Sequence, residues 1–246
     1  MTYVFMFVLG VCLGSFYACI GYRIPNKIST VKPSSFCPKC KKALKWYMNI
    51  PLLSYIFLKG KCAYCKEKIS IRYFLIELIT GILFVVSYII FGITYQLIVI
   101  LILISALMVT LVTDLEYYYI SDRVIVVSAF GMLLVYFRYL SINRIIYYVV
   151  CAVLMFIFMF MLKKLTSDIF KKESLGDGDI KLMILIGLSL GGLNSFMSLF
   201  ISSVSALVYA VLFIKKKDTL IPFGPFLLLG TIITYVLIFY GVSLVL

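Results

Sequence analysis

The chain has 246 residues, 64% of them hydrophobic, and a mean hydropathy of +1.13. Soluble globular domains are nearer half apolar, so this composition excludes a soluble enzyme and indicates an integral membrane protein. The sequence contains no histidine, which excludes catalytic triads and metal sites that depend on an imidazole.

Apolar stretches long enough to predict membrane-spanning helices recur along the whole chain. The first begins at Thr2 without a basic segment before it, so we expect a retained helix rather than a cleaved signal peptide. The sixth covers only about 20 Å as a helix, short of a hydrocarbon core of about 30 Å. The predicted fold is all-α and polytopic, with about eight transmembrane helices near 2–22, 73–91, 95–113, 122–140, 144–162, 180–193, 195–213 and 221–244.

The polar segment 23–72 separates the first two spans and predicts a small extramembrane domain. If the N-terminus lies outside, 21 of the 23 basic residues face the cytosol, among them Lys172 and the run Lys215–Lys217. Arg138 and Arg144 alone fall outside. This asymmetry predicts that both termini are outside and that the net charge of +13 encodes topology rather than nucleic-acid binding. Three domains are predicted: a first helix 1–22, a cytosolic domain 23–72 and a seven-helix membrane domain 73–246.

Four cysteines in the cytosolic segment form two Cys-x-x-Cys pairs separated by 21 residues. Two such pairs complete a tetrahedral site of four sulfurs, which suits zinc, and a closed site of this kind is structural rather than catalytic. The alternative is redox-active or unbound thiols; a reducing cytosol disfavours structural disulfides. The predicted zinc ligands are Cys37, Cys40, Cys62 and Cys65.

Seven of the ten acidic residues fall in two segments that the topology places at the cytosolic face. Asp114 ends the third span and Asp179 opens the sixth, and an ionisable residue at such a depth is a functional candidate. Two carboxylates brought together can share a proton, one acting as base on water and the other as acid on a carbonyl. Simpler alternatives are a solvated Asp177 and a helix N-cap at Asp179; the terminal glutamate of a calcium loop is missing. The remaining acids of the two segments are Glu116, Asp122, Asp168 and Glu173.

Four motifs in this order resemble the type IV prepilin peptidases, which are GxGD-type membrane aspartyl proteases. They are GSFYACIGYRIP (14–25), the cysteine segment through FLIEL (37–78), DLEYYYISD (114–122) and GDGDIK (176–181). The resemblance implies that Asp114 and Asp179 are the catalytic pair, supported by Gly176, Gly178 and Lys181. One departure is Ser121, where the family usually has proline.

The resemblance also implies a substrate and a location. Such enzymes lie in the bacterial cytoplasmic membrane and remove a short basic leader from type IV prepilins and pseudopilins, on the cytosolic side and after a glycine. They serve pilus assembly and protein secretion. Members with the cysteine insert often also N-methylate the new terminus with S-adenosylmethionine. For that activity Glu77 and Gly81 are candidates, although Glu77 could instead pair with Arg72 or Lys68.

Two other functions remain open from sequence alone. The chain could be a non-catalytic membrane module that docks a partner through its zinc domain. It could also be a transporter with a carboxylate proton relay, although no acidic residue falls near the middle of a predicted span.

Overall fold

The computed structural model describes residues 1–171, 176–213 and 222–242; for Phe170 only the backbone is described. Lys172, Glu173 and the run Lys215–Lys217 therefore lie outside the described residues. The described chain is helical apart from two isolated β-bridges and loops. The α-helices are α1 (Thr2–Arg23), α2 (Leu53–Phe57), α3 (Ile71–Phe91), α4 (Tyr95–Tyr117), α5 (Asp122–Tyr139), α6 (Ile142–Phe170), α7 (Asp177–Leu190), α8 (Gly192–Phe213) and α9 (Gly224–Phe239).

Five of these helices, among the described residues, are long and apolar enough to cross a membrane: α1, α3, α4, α6 and α8. α9 is equally apolar but has only 16 residues, and α7 has 14. α5 has 18 residues but carries Asp122, Arg123 and Arg138 at its two ends. A multi-pass helical membrane protein is thus confirmed, while the number of eight crossings stays a prediction.

The chain divides into two compact units, an N-terminal unit Met1–Gly92 and a C-terminal unit Ile93–Leu246. The predicted domain boundaries at 22 and 72 separate membrane-spanning segments from the extramembrane segment, whereas the compact units are separated by packing. The predicted boundaries therefore stay a prediction. In the N-terminal unit, α1 and α3 pack closely because glycines remove side chains from their contact. A Cβ at Gly10 would lie 2.8 Å from the Cα of Gly81, and one at Gly14 would lie 2.9 Å from the Cα of Glu77. Gly10 and Gly14 form a GxxxG pattern, which brings helices close together in membranes.

In the C-terminal unit, α7 is the central helix, since it packs against α5, α6, α8 and α9. Its side chains Leu182, Met183, Leu185 and Ile186 are fully buried. α6 approaches it so closely that a Cβ at Gly187 would lie 2.5 Å from the Cα of Ala152. Gly191, at φ +77°, makes the turn from α7 into α8. α4 packs against α5 and α9, so α9 lies against both α4 and α7.

Candidate active site

Asp114 lies in the last turn of α4, and its side chain is buried, with 6% exposed. The helix ends three residues later at Tyr117, where Tyr118 adopts a left-handed conformation that turns the chain away. The backbone N–H of Gly224 donates a hydrogen bond to Oδ2 of Asp114 at 3.2 Å. Gly224 is the first residue of α9, so the carboxylate is held at a helix N-terminus, where a negative charge is favoured.

Asp179 lies in the first turn of α7 and is also buried, with 9% exposed. α7 begins at Asp177 with Gly176 as its N-cap, so the alternative that Asp179 itself caps the helix is wrong. Its carboxylate interacts with the charge of Asp114 and with the backbone of Gly176. Among the described residues, no partner donates a hydrogen bond to its Oδ1. The structure therefore brings the two predicted aspartates together, with one carboxylate oxygen left available in a buried position.

Ile120 and two glycines pack tightly beside this pair. A Cβ at Gly178 would lie 2.6 Å from the Cβ of Ile120, and a Cβ at Gly224 would lie 2.8 Å from its Cδ1. Gly176 leaves room for the Asp179 carboxylate, since a Cβ there would lie 3.2 Å from Oδ2. The two glycines of the GxGD motif thus have steric roles, because any side chain at either position would push into the site.

Sequence reasoning did not find Gly224 or Ile120. The stretch Pro222–Pro225 reads PFGP, a turn signal that marks the start of a helix. It carries no information about Asp114, which is 110 residues away. Ile120 is one apolar residue among many, so no signal distinguishes it.

The other charged residues of the two motifs lie at the exposed edge of the site. Lys181 forms an ion pair with Asp122 of α5 at 2.6 Å, and both side chains are exposed. Asp177 is exposed and pairs with Lys163 of α6. Ser121, where the resembled family has proline, is buried just before α5 and accepts backbone hydrogen bonds from Val124 and Ile125. Lys181 therefore ties α7 to α5 next to the aspartates.

The four predicted zinc ligands come together in the N-terminal unit. Their sulfur atoms all lie within 4.8 Å of one another, and Cys37 and Cys65 are 3.9 Å apart. Tetrahedral zinc with bonds of about 2.3 Å places its sulfurs about 3.8 Å apart, so the cluster fits this ion.

The two cysteine pairs are built alike. In each, the amide of the first cysteine donates to the carbonyl five residues on, and the amide four residues on donates back to that cysteine. Lys41 and Lys66, both at φ 59°, occupy the equivalent left-handed positions. Backbone N–H groups of Cys65 and Tyr64 lower the pKa of Cys62 to about 7, whereas burial and the neighbouring sulfurs raise the pKa of Cys65 to about 11. The cluster therefore favours a first thiolate at Cys62, and a bound metal would have to displace the protons of the other thiols.

The two candidates for methyl transfer lie on α3 in different surroundings. Glu77 is buried, accepts a hydrogen bond from the backbone N–H of Leu52 at 2.7 Å, and is close to the hydroxyl of Ser15. It lines a cavity of about 350 Å³ within the N-terminal unit, together with Ser15, Tyr22, Tyr55, Tyr73 and Phe74. Gly81 packs against α1, where an added Cβ would lie 2.6 Å from Cγ2 of Val11. Glu77 can therefore reach a ligand in the cavity, and Gly81 serves helix packing.

Comparison with known proteins places the chain in a family. The bacterial peptidase A24 N-terminal domain matches residues 8–91, and the type IV leader peptidase family matches residues 101–211. A prepilin leader peptidase/N-methyltransferase of Bacillus subtilis is 34% identical over 98% of this chain and 95% of its own length. The chain belongs to the type IV leader peptidase family. It is therefore a peptidase, and the two family domains fall within the two compact units.

Other relatives agree with this membership. A prepilin leader peptidase/N-methyltransferase of Myxococcus xanthus is 36% identical over 75% of this chain, and the match spans 55% of that relative. The type 4 prepilin-like proteins leader peptide-processing enzyme of Escherichia coli is 31% identical over 92% of this chain and 90% of its own length. No solved structure matches the chain.

Proposed function

We propose that the chain is a membrane aspartyl endopeptidase that removes the basic leader of type IV prepilins and pseudopilins, with Asp114 and Asp179 as its catalytic pair. The observation that carries this proposal is the meeting of two buried carboxylates at the ends of α4 and α7 in a family member. Two coupled carboxylates can divide the roles of base and acid, and neither histidine nor a catalytic metal is needed.

The contacts of the two aspartates favour one assignment of roles. Asp114 accepts the N–H of Gly224 at the start of α9, an arrangement that stabilises a carboxylate. Asp179 lies beside that charge and has no donor to its Oδ1 among the described residues, which suits a protonated carboxyl group. In this assignment Asp114 takes a proton from water as the water oxygen attacks the scissile carbonyl carbon. Asp179 donates its proton to the carbonyl oxygen, which gives a gem-diol intermediate. As the C–N bond breaks, the proton held by Asp114 passes to the leaving amine and one hydroxyl proton of the gem-diol returns to Asp179.

The proposed topology places both termini outside the cytoplasmic membrane and the catalytic pair and zinc domain at the cytosolic face. It is supported by the location of 21 of the 23 basic residues on one side of the predicted spans. In this topology eight helices cross or enter the membrane, the short α7 and α9 among them, and the domains divide at 22 and 72. A 14-residue α7 covers about 21 Å, so its first turn, with Asp179, can lie below the membrane surface.

We also propose that the chain can N-methylate the new N-terminus with S-adenosylmethionine; several relatives are named prepilin leader peptidase/N-methyltransferase. The cavity lined by Glu77 fits such a group. Its buried carboxylate would attract the sulfonium and ammonium groups, and its aromatic walls would pack against the adenine. The bound group would supply the methyl, while Glu77 would orient the cationic end.

The test of the peptidase uses the full-length protein in proteoliposomes with a prepilin substrate. Asp114→Asn and Asp179→Asn should each abolish cleavage, since either change removes one of the two proton-transfer groups. Asp177→Asn is the matched control, because that acid is exposed and pairs with Lys163. It should retain cleavage within about threefold, as expected for an exposed ion pair.

If both buried variants cleaved at the rate of the unaltered protein, the catalytic pair would be wrong and the docking-module alternative would gain. Mass spectrometry of the processed pilin would report the cleavage site and the presence of a methyl group in the same measurement.

A further inference from the structure

The segment between the two cysteine pairs exposes an unusual number of large apolar side chains. This interfacial segment, Trp46–Phe57, contains one 3₁₀ turn (Trp46–Asn49) followed by α2. Trp46 is 79% exposed and Phe57 is 78% exposed. The other exposed apolar residues of the segment are Tyr47, Ile50, Leu53 and Ile56. A water-facing loop does not usually collect six such residues in twelve positions.

Contacts within the N-terminal unit place the segment beside the membrane-crossing part of α3. The N–H of Leu52 bonds to Glu77, and the ring of Tyr55 lies 5.3 Å from that of Phe74. Glu77 is six residues into α3, or about 9 Å along its axis. The residues of α3 in this stretch, Ile71 and Leu75, are themselves exposed and apolar, as expected of a helix facing lipid. The start of α2 therefore lies level with a lipid-facing turn rather than beyond the end of the helix.

Lysines surround the segment on both sides in the sequence. Lys41, Lys42 and Lys45 precede it, Lys59 and Lys61 follow it, and all five are exposed. The only acidic residue of 23–72 is Glu67, which is paired with Lys39 at 2.8 Å. Aromatic and aliphatic residues flanked by lysines are typical of segments that lie in the plane of a membrane interface and favour anionic lipids.

We propose that Trp46–Phe57 is inserted in the lipid leaflet on the zinc-domain side, with its apolar side chains among the acyl chains and the flanking lysines on anionic headgroups. The segment thereby anchors the zinc domain to the membrane surface next to α3. The partner of the segment is a leaflet that contains anionic phospholipid: the apolar side chains bind its acyl chains, and the lysines bind its negative headgroups. This role is independent of the proposed peptidase chemistry.

Trp46 is the chain's single tryptophan, so its fluorescence tests the proposal without any substitution. The full-length protein is placed in nanodiscs of phosphatidylcholine and phosphatidylglycerol. Acyl-chain bromine is carried either by the phosphatidylcholine or by the phosphatidylglycerol. We expect brominated lipid to quench Trp46, and iodide in the buffer to quench it weakly. We expect brominated phosphatidylglycerol to quench about twofold more than brominated phosphatidylcholine at equal amounts, since each lysine at the surface favours anionic lipid.

Two variants complete the test. In Trp46→Phe/Tyr64→Trp the probe moves to position 64 between the second pair of cysteines, where the tyrosine is 36% exposed, and iodide should quench it more strongly than it quenches Trp46. Lys45→Gln/Lys59→Gln removes two of the five flanking lysines and should reduce the excess quenching by brominated phosphatidylglycerol while Trp46 stays buried in lipid.

Strong iodide quenching of Trp46 with no quenching by either lipid would overturn insertion, and so would equal lipid quenching at positions 46 and 64. Equal quenching by the two lipids in the unaltered protein would overturn the preference for anionic lipid.

Discussion

Substitution of two glycines that contact the same isoleucine tests the proposed geometry of the catalytic pair. In Gly178→Ala the added methyl would stand 2.6 Å from the Cβ of Ile120, whereas carbon atoms in contact lie about 3.5 Å apart or more. The Cβ is fixed to the backbone, so the start of α7 or the 118–121 turn must shift by about 1 Å. A misplacement of that size costs about 100-fold in rate, or about 2.7 kcal/mol. We therefore expect kcat to fall about 100-fold.

Gly224→Ala meets the other end of the same side chain. The nearest atom would be Cδ1 of Ile120 at 2.8 Å, the end of a side chain that can rotate away. We expect a smaller loss, of about tenfold, or about 1.4 kcal/mol. Part of it comes from Oδ2 of Asp114, which would lie 3.1 Å from the added methyl.

Ile120→Val distinguishes the two cases because it removes Cδ1 and keeps Cβ. In the Gly224→Ala background it should restore kcat to within about threefold, and in the Gly178→Ala background it should restore nothing. The assay is prepilin cleavage in proteoliposomes, with kcat and KM measured separately and thermal unfolding recorded for each variant. Full activity of Gly178→Ala, or equal rescue of both variants by Ile120→Val, would refute the packing on which this reasoning depends.

Three further predictions concern the rest of the molecule. Cys37→Ser or Cys65→Ser should abolish zinc binding, measured as metal per protein. Because metal binding and folding are coupled, either change should also expose residues 24–70 to proteolysis. Retention of the metal would contradict the four-sulfur site. Lys181→Gln should change kcat by no more than about threefold, since the ion pair of Lys181 with Asp122 is exposed. A loss as large as that of Asp179→Asn would mean that Lys181 takes part in the chemistry. Gly187→Ala should lower the free energy of unfolding in denaturant by about 1–3 kcal/mol, because α6 leaves no space for the added methyl. Gly131→Ala should cost less, because its added Cβ would lie 3.3 Å from Cδ1 of Ile102, the end of a flexible side chain. Equal effects of the two variants would contradict the close contact between α6 and α7.

Much of the helical architecture follows from local features of the sequence. Hydropathy places helices near their observed positions because apolar side chains alone satisfy a lipid environment. It misses how far they continue: α6 runs on to Phe170, whereas the prediction ends at 162, because helicity persists after hydropathy falls. α2 is missed as well, since five residues carry no periodic signal. The cysteine cluster is predictable because each pair is built within six residues, and only the meeting of the two pairs requires the fold.

The candidate active site is only partly predictable for a different reason. Asp114 and Asp179 can be selected because carboxylates at a membrane face are costly. Their proximity, however, depends on how α4, α7 and α9 pack, and that packing is spread over many apolar residues. The hydrogen bond to Asp114 comes from the backbone N–H of Gly224, and nearly every residue has such a group, so the residue type does not reveal it. Sequence reasoning thus misses the backbone hydrogen bond from Gly224 and the close packing around Ile120.

The hydrogen bond from Gly224 to Asp114 has a consequence for the biogenesis of the protein. The ribosome makes the chain from its N-terminus, so α4 and α7 are synthesised before α9. At that stage the nascent chain holds both aspartates but lacks the amide that orients one of them. The site is therefore completed by α9, the last helix of the described residues. In the proposed function, hydrolytic activity therefore requires the segment that carries α9 in addition to the two aspartates.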